Sequence, residues 1–94
     1  MIRNGYANKV TYAQGARILS RKEHFKLGYE SVNKDRPYDY NIENKADAID
    51  YARGRAFAIW AKINAERGCR WKNGVLSRAG EERLLRAIYH KVVI

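Results

Sequence analysis

Few residues in this chain are of a type that does acid–base, nucleophilic or metal chemistry. The two histidines, His24 and His90, are far apart, and each reads most simply as a helix-surface residue. Cys69 is the single cysteine; it has no internal disulfide partner and reads as a small residue just after a helix end. The acids gather in residues 35–50 as Asp35, Asp39, Glu43, Asp47 and Asp50. Within PYDYNIENK, Asp39 followed by Glu43-x-Lys45 imitates the carboxylate–lysine pattern of a metal-dependent nuclease. Such a site needs carboxylates converging on Mg²⁺ from a rigid scaffold. Here they span a proline loop and a helix start with no strands around them. Asp47 in a first helical turn is accounted for by the helix dipole. No Walker loop, Rossmann fingerprint, zinc-type Cys/His set or nucleophile elbow is present. The sequence therefore predicts no enzyme, no cofactor and no metal site. It predicts that the acidic segment contacts a basic patch on a partner or pairs with the chain's own basic ends.

The chemistry the chain does carry is cationic. Its 94 residues have 19 Lys and Arg against 10 acids, a net charge of +9. Residues 1–34 hold seven cations against two acids, residues 35–50 two against five, and residues 51–94 ten against three. An excess this large suits a polyanionic partner, either nucleic acid or an acidic protein surface. One candidate surface runs along Arg53, Arg55, Lys62, Arg67, Arg70, Trp71 and Lys72; a second row is Arg78, Arg83 and Arg86. The cations would pair with phosphates or carboxylates, and Trp71 would anchor or stack. Arginine beside tyrosine and tryptophan serves RNA or DNA recognition and protein hot spots alike. No apolar run approaches the ~20 residues that span a bilayer, and MIRNGYANKV has no signal-peptide core. The reading is a soluble, cytoplasmic protein with no membrane contact.

The elements that position these residues are helical. Residues 1–10 look irregular, with Asn4-Gly5 as a turn signal. Thr11-x-x-Gln14 resembles a capping box for a short helix through Leu19, and Ser20-x-x-Glu23 one for a helix ending near Asn33. In the second, Phe25, Gly28, Tyr29 and Val32 share one face. Residues 34–44 form a loop around Pro37. The longest helix covers about 44–67, with Gly68 in the place of a C′ glycine. Asn73-Gly74 marks a turn or minimal hairpin. Ser77 caps a last helix whose buried face is Leu84, Leu85, Ile88 and Val92. The expected fold is all-α: one domain over 1–94, a bundle of three to four helices with the long helix central.

That long helix offers two faces. Ile49, Ala52, Ala56, Ile59, Trp60 and Ile63 form the expected apolar stripe. Gly54, Ala58, Ala61 and Ala65 form a second, small-residue face, which lets another backbone come close. A helix-interior glycine costs roughly 1 kcal/mol against alanine, a cost that such packing offsets. Arg53 lies beside Trp60, where it snorkels or makes a cation–π contact. Arg55 lies on the opposite flank, where it, Tyr51 and Lys62 are expected to form an exposed basic–aromatic strip.

An aromatic-x-x-Gly motif occurs as YAQG (12–15), FKLG (25–28) and YARG (51–54). The last two belong to a longer pattern: HFKLGYE, then RPYDY, then YARGRAFAIW. Over residues 24–62 this resembles ribosome modulation factor and its relatives, at Gly28, Tyr29, Pro37, Tyr38, Tyr51 and Gly54. Arg55 stands where that family favours tryptophan, and RWKNGVLSRAGEERLLRAIYHKVVI has no counterpart there. The resemblance implies a small, basic, helical protein that binds ribosomal RNA directly and keeps ribosomes inactive. The wider character of the chain (short, basic, without a catalytic constellation) is that of small phage accessory proteins. These dock on a host nuclease, polymerase or ribosome and modulate or inhibit it. The leading expectation is such a non-enzymatic docking protein; direct ribosomal RNA binding is the alternative.

Overall fold

A computed structural model describes residues 5–64 and 69–93. It holds four helices and one short ribbon: α1 (Gly5–Ser20), α2 (Glu23–Asn33), α3 (Lys45–Ile63), β1 (Trp71–Lys72), β2 (Val75–Leu76) and α4 (Arg78–Tyr89). The chain is thus mostly helical but not all-α. β1 and β2 pair antiparallel, Trp71 opposite Leu76 and Lys72 opposite Val75. Asn73 and Gly74 between them both have positive φ, 54° and 79°, as a two-residue type I′ connection requires.

Several boundaries differ from the sequence expectation. The first helix starts at Gly5, so residues 5–10 are helical rather than irregular. Once nucleated, a helix extends through any run without a breaker, and Gly15, whose Cβ position is open, is tolerated inside it. Ser20 ends α1 instead of opening α2. Its hydroxyl donates to the Arg17 carbonyl at 2.8 Å, and α2 starts at Glu23 with no side-chain cap. Asn44, not singled out as a cap in the sequence, caps α3, its side-chain oxygen accepting from the Asp47 amide at 3.0 Å. The described α3 ends at Ile63 with Asn64 as C-cap. The expected extension, with Ala65, Arg67 and Gly68, lies outside the described residues. Ser77 caps α4 as expected, accepting from the Gly80 amide at 3.1 Å.

Two helices end in the same way. After α2, Asp35 is left-handed (φ 55°), Arg36 N–H donates to the Ser31 carbonyl, and Asp35 N–H donates to that of Val32. After α4, Lys91 is left-handed (φ 61°), Val92 N–H donates to Ala87 and Lys91 N–H to Ile88. Both are Schellman motifs, with a non-glycine residue where glycine is usual.

The packing of α3 reverses the expectation from hydropathy. Its buried residues are Tyr51, Gly54, Phe57, Ala58 and Ala61. Ile49, Ile59 and Ile63 are 45%, 46% and 78% exposed. The reason is the crossing with α2. A Cβ on Gly28 would fall on the carbonyl oxygen of Tyr51, and a Cβ on Gly54 on that of Phe25. The contact is reciprocal. Phe25-x-x-Gly28 and Tyr51-x-x-Gly54 face each other, each glycine seated on the backbone of the other motif's aromatic residue. Two helices meeting backbone to backbone must turn their glycines inward, so the isoleucines are rotated out.

Around this crossing the core is aromatic. Phe25 stacks on Phe57 with ring centroids 5.9 Å apart, and Tyr29 lies 5.4 Å from Phe57. Trp71 meets Tyr29 edge-on at 5.1 Å. Ala16, Leu76, Leu84, Ala87 and Val93 complete it, so α1, the ribbon, α4 and the segment after α4 all close on one core. Of the expected α4 face, Leu84 is fully buried and Leu85, Ile88 and Val92 are partly buried against the cluster.

Candidate nucleic-acid interface

The exposed strip expected from Tyr51, Arg55 and Lys62 is not an open face. Tyr51 is buried. Arg55 sends Nη1 to the Ser31 hydroxyl at 2.8 Å and to the Arg36 carbonyl at 3.1 Å. Its guanidinium also lies over the Tyr38 ring, 5.2 Å from the centroid. Ser31 in turn donates to the Gly28 carbonyl at 2.8 Å. Tyr38 meets Tyr51 edge-on at 5.2 Å, and Tyr40 packs on Tyr38 at 4.6 Å. The Tyr51 hydroxyl accepts from the Asp39 amide at 3.0 Å. Arg55 and Tyr51 therefore fasten the Pro37 loop to the α2–α3 crossing. Of the three, only Lys62 reaches solvent freely, 3.8 Å from the carboxylate of Asp35.

The electrostatics of two tyrosines record this. Burial pushes the Tyr51 hydroxyl up. Hydrogen bonds with Ser31 and the Asp39 amide, together with Arg55, outweigh that and leave its pKa below the ordinary tyrosine value. Tyr29, buried beside Cys69, is shifted the other way, chiefly by desolvation. Tyr29 and Cys69 thus belong to the core.

The remaining predicted residues are scattered. Arg53 lies on the opposite flank of α3, with Nη1 4.0 Å from Asp50, in a cleft of ≈ 290 Å³ shared with Ile18, Leu19, Lys22 and Ile88. Arg67 is outside the described residues. Arg70 and Lys72 are exposed on the ribbon. Trp71 is half-buried between them; its indole N–H donates to the Ser20 carbonyl at 2.7 Å, and its ring packs on Phe25 and Tyr29. Arg78 is exposed beside Glu81 and Glu82, and Arg83 donates to the Ala79 carbonyl at 3.0 Å. Arg86 is exposed on α4.

Two sets of residues escape sequence reasoning. Ser31 and Arg36 complete the Arg55 cluster, with no local pattern to mark them. Ser20 becomes a neighbour of the ribbon only through the Trp71 indole, which donates to its carbonyl, and Lys22 lines the cleft beside Asp50 and Arg53. The acidic segment is engaged locally. Asp39 accepts from the Asn41 amide at 2.9 Å, and Asp47 lies 3.6 Å from His24 Nδ1. Among the described residues, no three His, Cys, Asp or Glu side chains gather as a metal site, and no helix is long and apolar enough to cross a membrane.

Comparison with protein-family models, curated proteins and solved structures finds no match to this chain.

Proposed function

We propose that the chain is a non-enzymatic, cytoplasmic binding protein that docks on a nucleic-acid-processing machine and modulates or inhibits it. We further propose that ribosomal RNA is the contact. The observation that supports this reading is the convergence of the six residues that resemble ribosome modulation factor. Gly28 and Gly54 make the helix crossing, Tyr29 lies in the core beneath it, and Pro37 and Tyr38 fold back onto Tyr51. Residues spread along a sequence can share a pattern by chance; these also share one helix–loop–helix unit. The net charge of +9 suits the same partner.

A second reading, docking on a protein of such a machine, is favoured by the groove of ≈ 410 Å³ between α2 and α3. There the exposed Ile59 and Ile63 stand beside Arg36 and Lys62. An apolar centre with a charged rim is the arrangement of protein interfaces.

A tagged pulldown from host lysate, divided and treated with nuclease on one side, separates the two. The RNA reading expects capture of ribosomes or RNA that collapses on nuclease treatment. A defined protein complex that survives nuclease overturns it in favour of the protein-docking reading.

A further inference from the structure

We propose that the outward face of α3 is a docking seam for an acidic amphipathic helix of a partner protein, with Ile49, Ala52, Ala56, Ile59 and Ile63 as its apolar line. This rests on the second reading above, docking on a protein, and names the chemistry of that partner. The groove beside Ile59 and Ile63 is one end of the seam.

The five residues follow one another at steps of three, four, three and four. That is the spacing of the two core positions of a heptad, which lets two helices interlock along a line. The residues that α3 buries are Tyr51, Gly54, Phe57, Ala58 and Ala61. At about 3.6 residues per turn they lie on the side of the helix opposite the line. Ile49, Ile59 and Ile63 are exposed, and Ala52 and Ala56 between them are half-buried. From Ile49 to Ile63 the line runs about 21 Å, or about four turns. Alanine in the middle lets a facing helix come close, and isoleucine at the ends supplies apolar area to bury. Clefts border the line on both sides: Arg53 shares one with Ile18 of α1, and Lys62 shares the other with Val32 of α2. The crossing with α2 already holds α3 in place, so the seam is presented preformed.

Charge decides the occupant. The heptad positions beside such a line set the choice of partner. Here they hold Arg53 on one side and Arg55 and Lys62 on the other, with Lys45 continuing the line before Ile49. No acid occupies a core or flanking position. The acids paired with these cations, Asp50 4.0 Å from Arg53 and Asp35 3.8 Å from Lys62, stand outside the seam. A second copy of the chain would set cations against cations, each copy carrying +9. A phosphate backbone would answer the cations and offer nothing to the isoleucines. An apolar helix flanked by glutamate or aspartate answers both at once.

The test is fluorescence anisotropy with two synthetic three-heptad peptides, both with leucine at the core positions. One carries glutamate at the flanking positions and the other lysine. The glutamate peptide should bind the chain at least about tenfold more tightly than the lysine peptide. I59E/I63E changes two exposed positions and should weaken the glutamate peptide at least about 100-fold, with helical circular dichroism retained. K45E/K62E should invert the preference between the peptides. Equal binding of the two peptides, binding of neither, or undiminished binding by I59E/I63E overturns the seam. Should I59E/I63E fail to fold, K45E/K62E decides alone. Sedimentation of the parent chain tests the second copy: a dimer that I59E/I63E dissolves would overturn the proposal. The nuclease-treated pulldown separates the seam from the reading beneath it. A protein complex held equally by the parent and by I59E/I63E leaves docking on a protein standing and overturns the seam. No complex surviving nuclease defeats both.

Discussion

The α2–α3 crossing and the ribbon are both rich in arginine and aromatic residues, yet they use them in opposite ways. At the crossing the backbones touch through Gly28 and Gly54, and Arg55, Tyr38 and Tyr51 are consumed in holding a loop. At the ribbon the aromatic residue points inward and the cations beside it are left to solvent. A run of Arg and Tyr is therefore no sign of an open surface. What matters is whether the guanidinium has carbonyl and hydroxyl acceptors within reach of its own fold.

The largest expected effect comes from the glycines. Gly28→Ala or Gly54→Ala drives a methyl into a backbone carbonyl, which cannot swing aside as a side chain would. Each should cost at least about 3 kcal/mol, a large part of the roughly 5 to 14 kcal/mol available to a domain of this length. Gly15 carries the same aromatic-x-x-Gly signature but faces open space. Gly15→Ala should instead stabilise by up to about 1 kcal/mol. Urea unfolding of the three variants measures the contrast, and equal effects at all three positions would break it.

That triplet also marks what was legible in the sequence. The local signals were readable because one residue and its own neighbours decide them: the Ser77 cap, the Asn73-Gly74 turn and the buried face of α2. The buried face of α3 was not. Hydropathy weighs Ile49, Ile59 and Ile63 above Gly54 and Ala58, and nothing local reports that a second glycine waits on α2. The small-residue face was visible, but its precedence over the isoleucine stripe depends on a partner 26 residues away. Likewise Ser20 has the form of a cap for the next helix. Its burial and its bond to Trp71, 51 residues on, make it the end of the previous one. For the candidate site, Arg70 and Lys72 were legible as charge, and the inward turn of Trp71 between them was not.

The next effect down concerns Arg55. Arg55→Met removes donors from Ser31 and the Arg36 carbonyl and should cost about 2 kcal/mol. Arg55→Lys should restore only part of this, since an ammonium does not reproduce the planar guanidinium over Tyr38. Urea midpoints of the pair test whether Arg55 is a fastener. A midpoint unchanged in both variants would return Arg55 to the exposed surface.

Lys91, left-handed after α4, gives a smaller effect. Lys91→Gly should raise stability by about 1 kcal/mol, because glycine adopts positive φ without steric cost. Thermal unfolding reads it, and no gain would mean that the turn is not held in that conformation.

The smallest effect is a pH dependence, and it too separates two regions. Tyr51, with its pKa lowered in the fold, adds stability that is complete above 10.0, where the unfolded tyrosine also ionises, and is lost as pH falls through its lowered folded value. Tyr29, with its pKa raised, is at full strength below 10.0 and loses its contribution as pH rises past that value. Tyrosinate absorbance should show Tyr51 ionising ahead of Tyr29, and Tyr51→Phe should delete the earlier step.

The most direct measurement of the central contrast is hydrogen–deuterium exchange with and without an RNA hairpin. The account expects new protection over residues 69–77. Gly28 and Gly54, where the backbones already meet, should exchange slowly in both states and show no change. Protection confined to the Pro37 loop and the outer face of α3, with the ribbon unaffected, would contradict it.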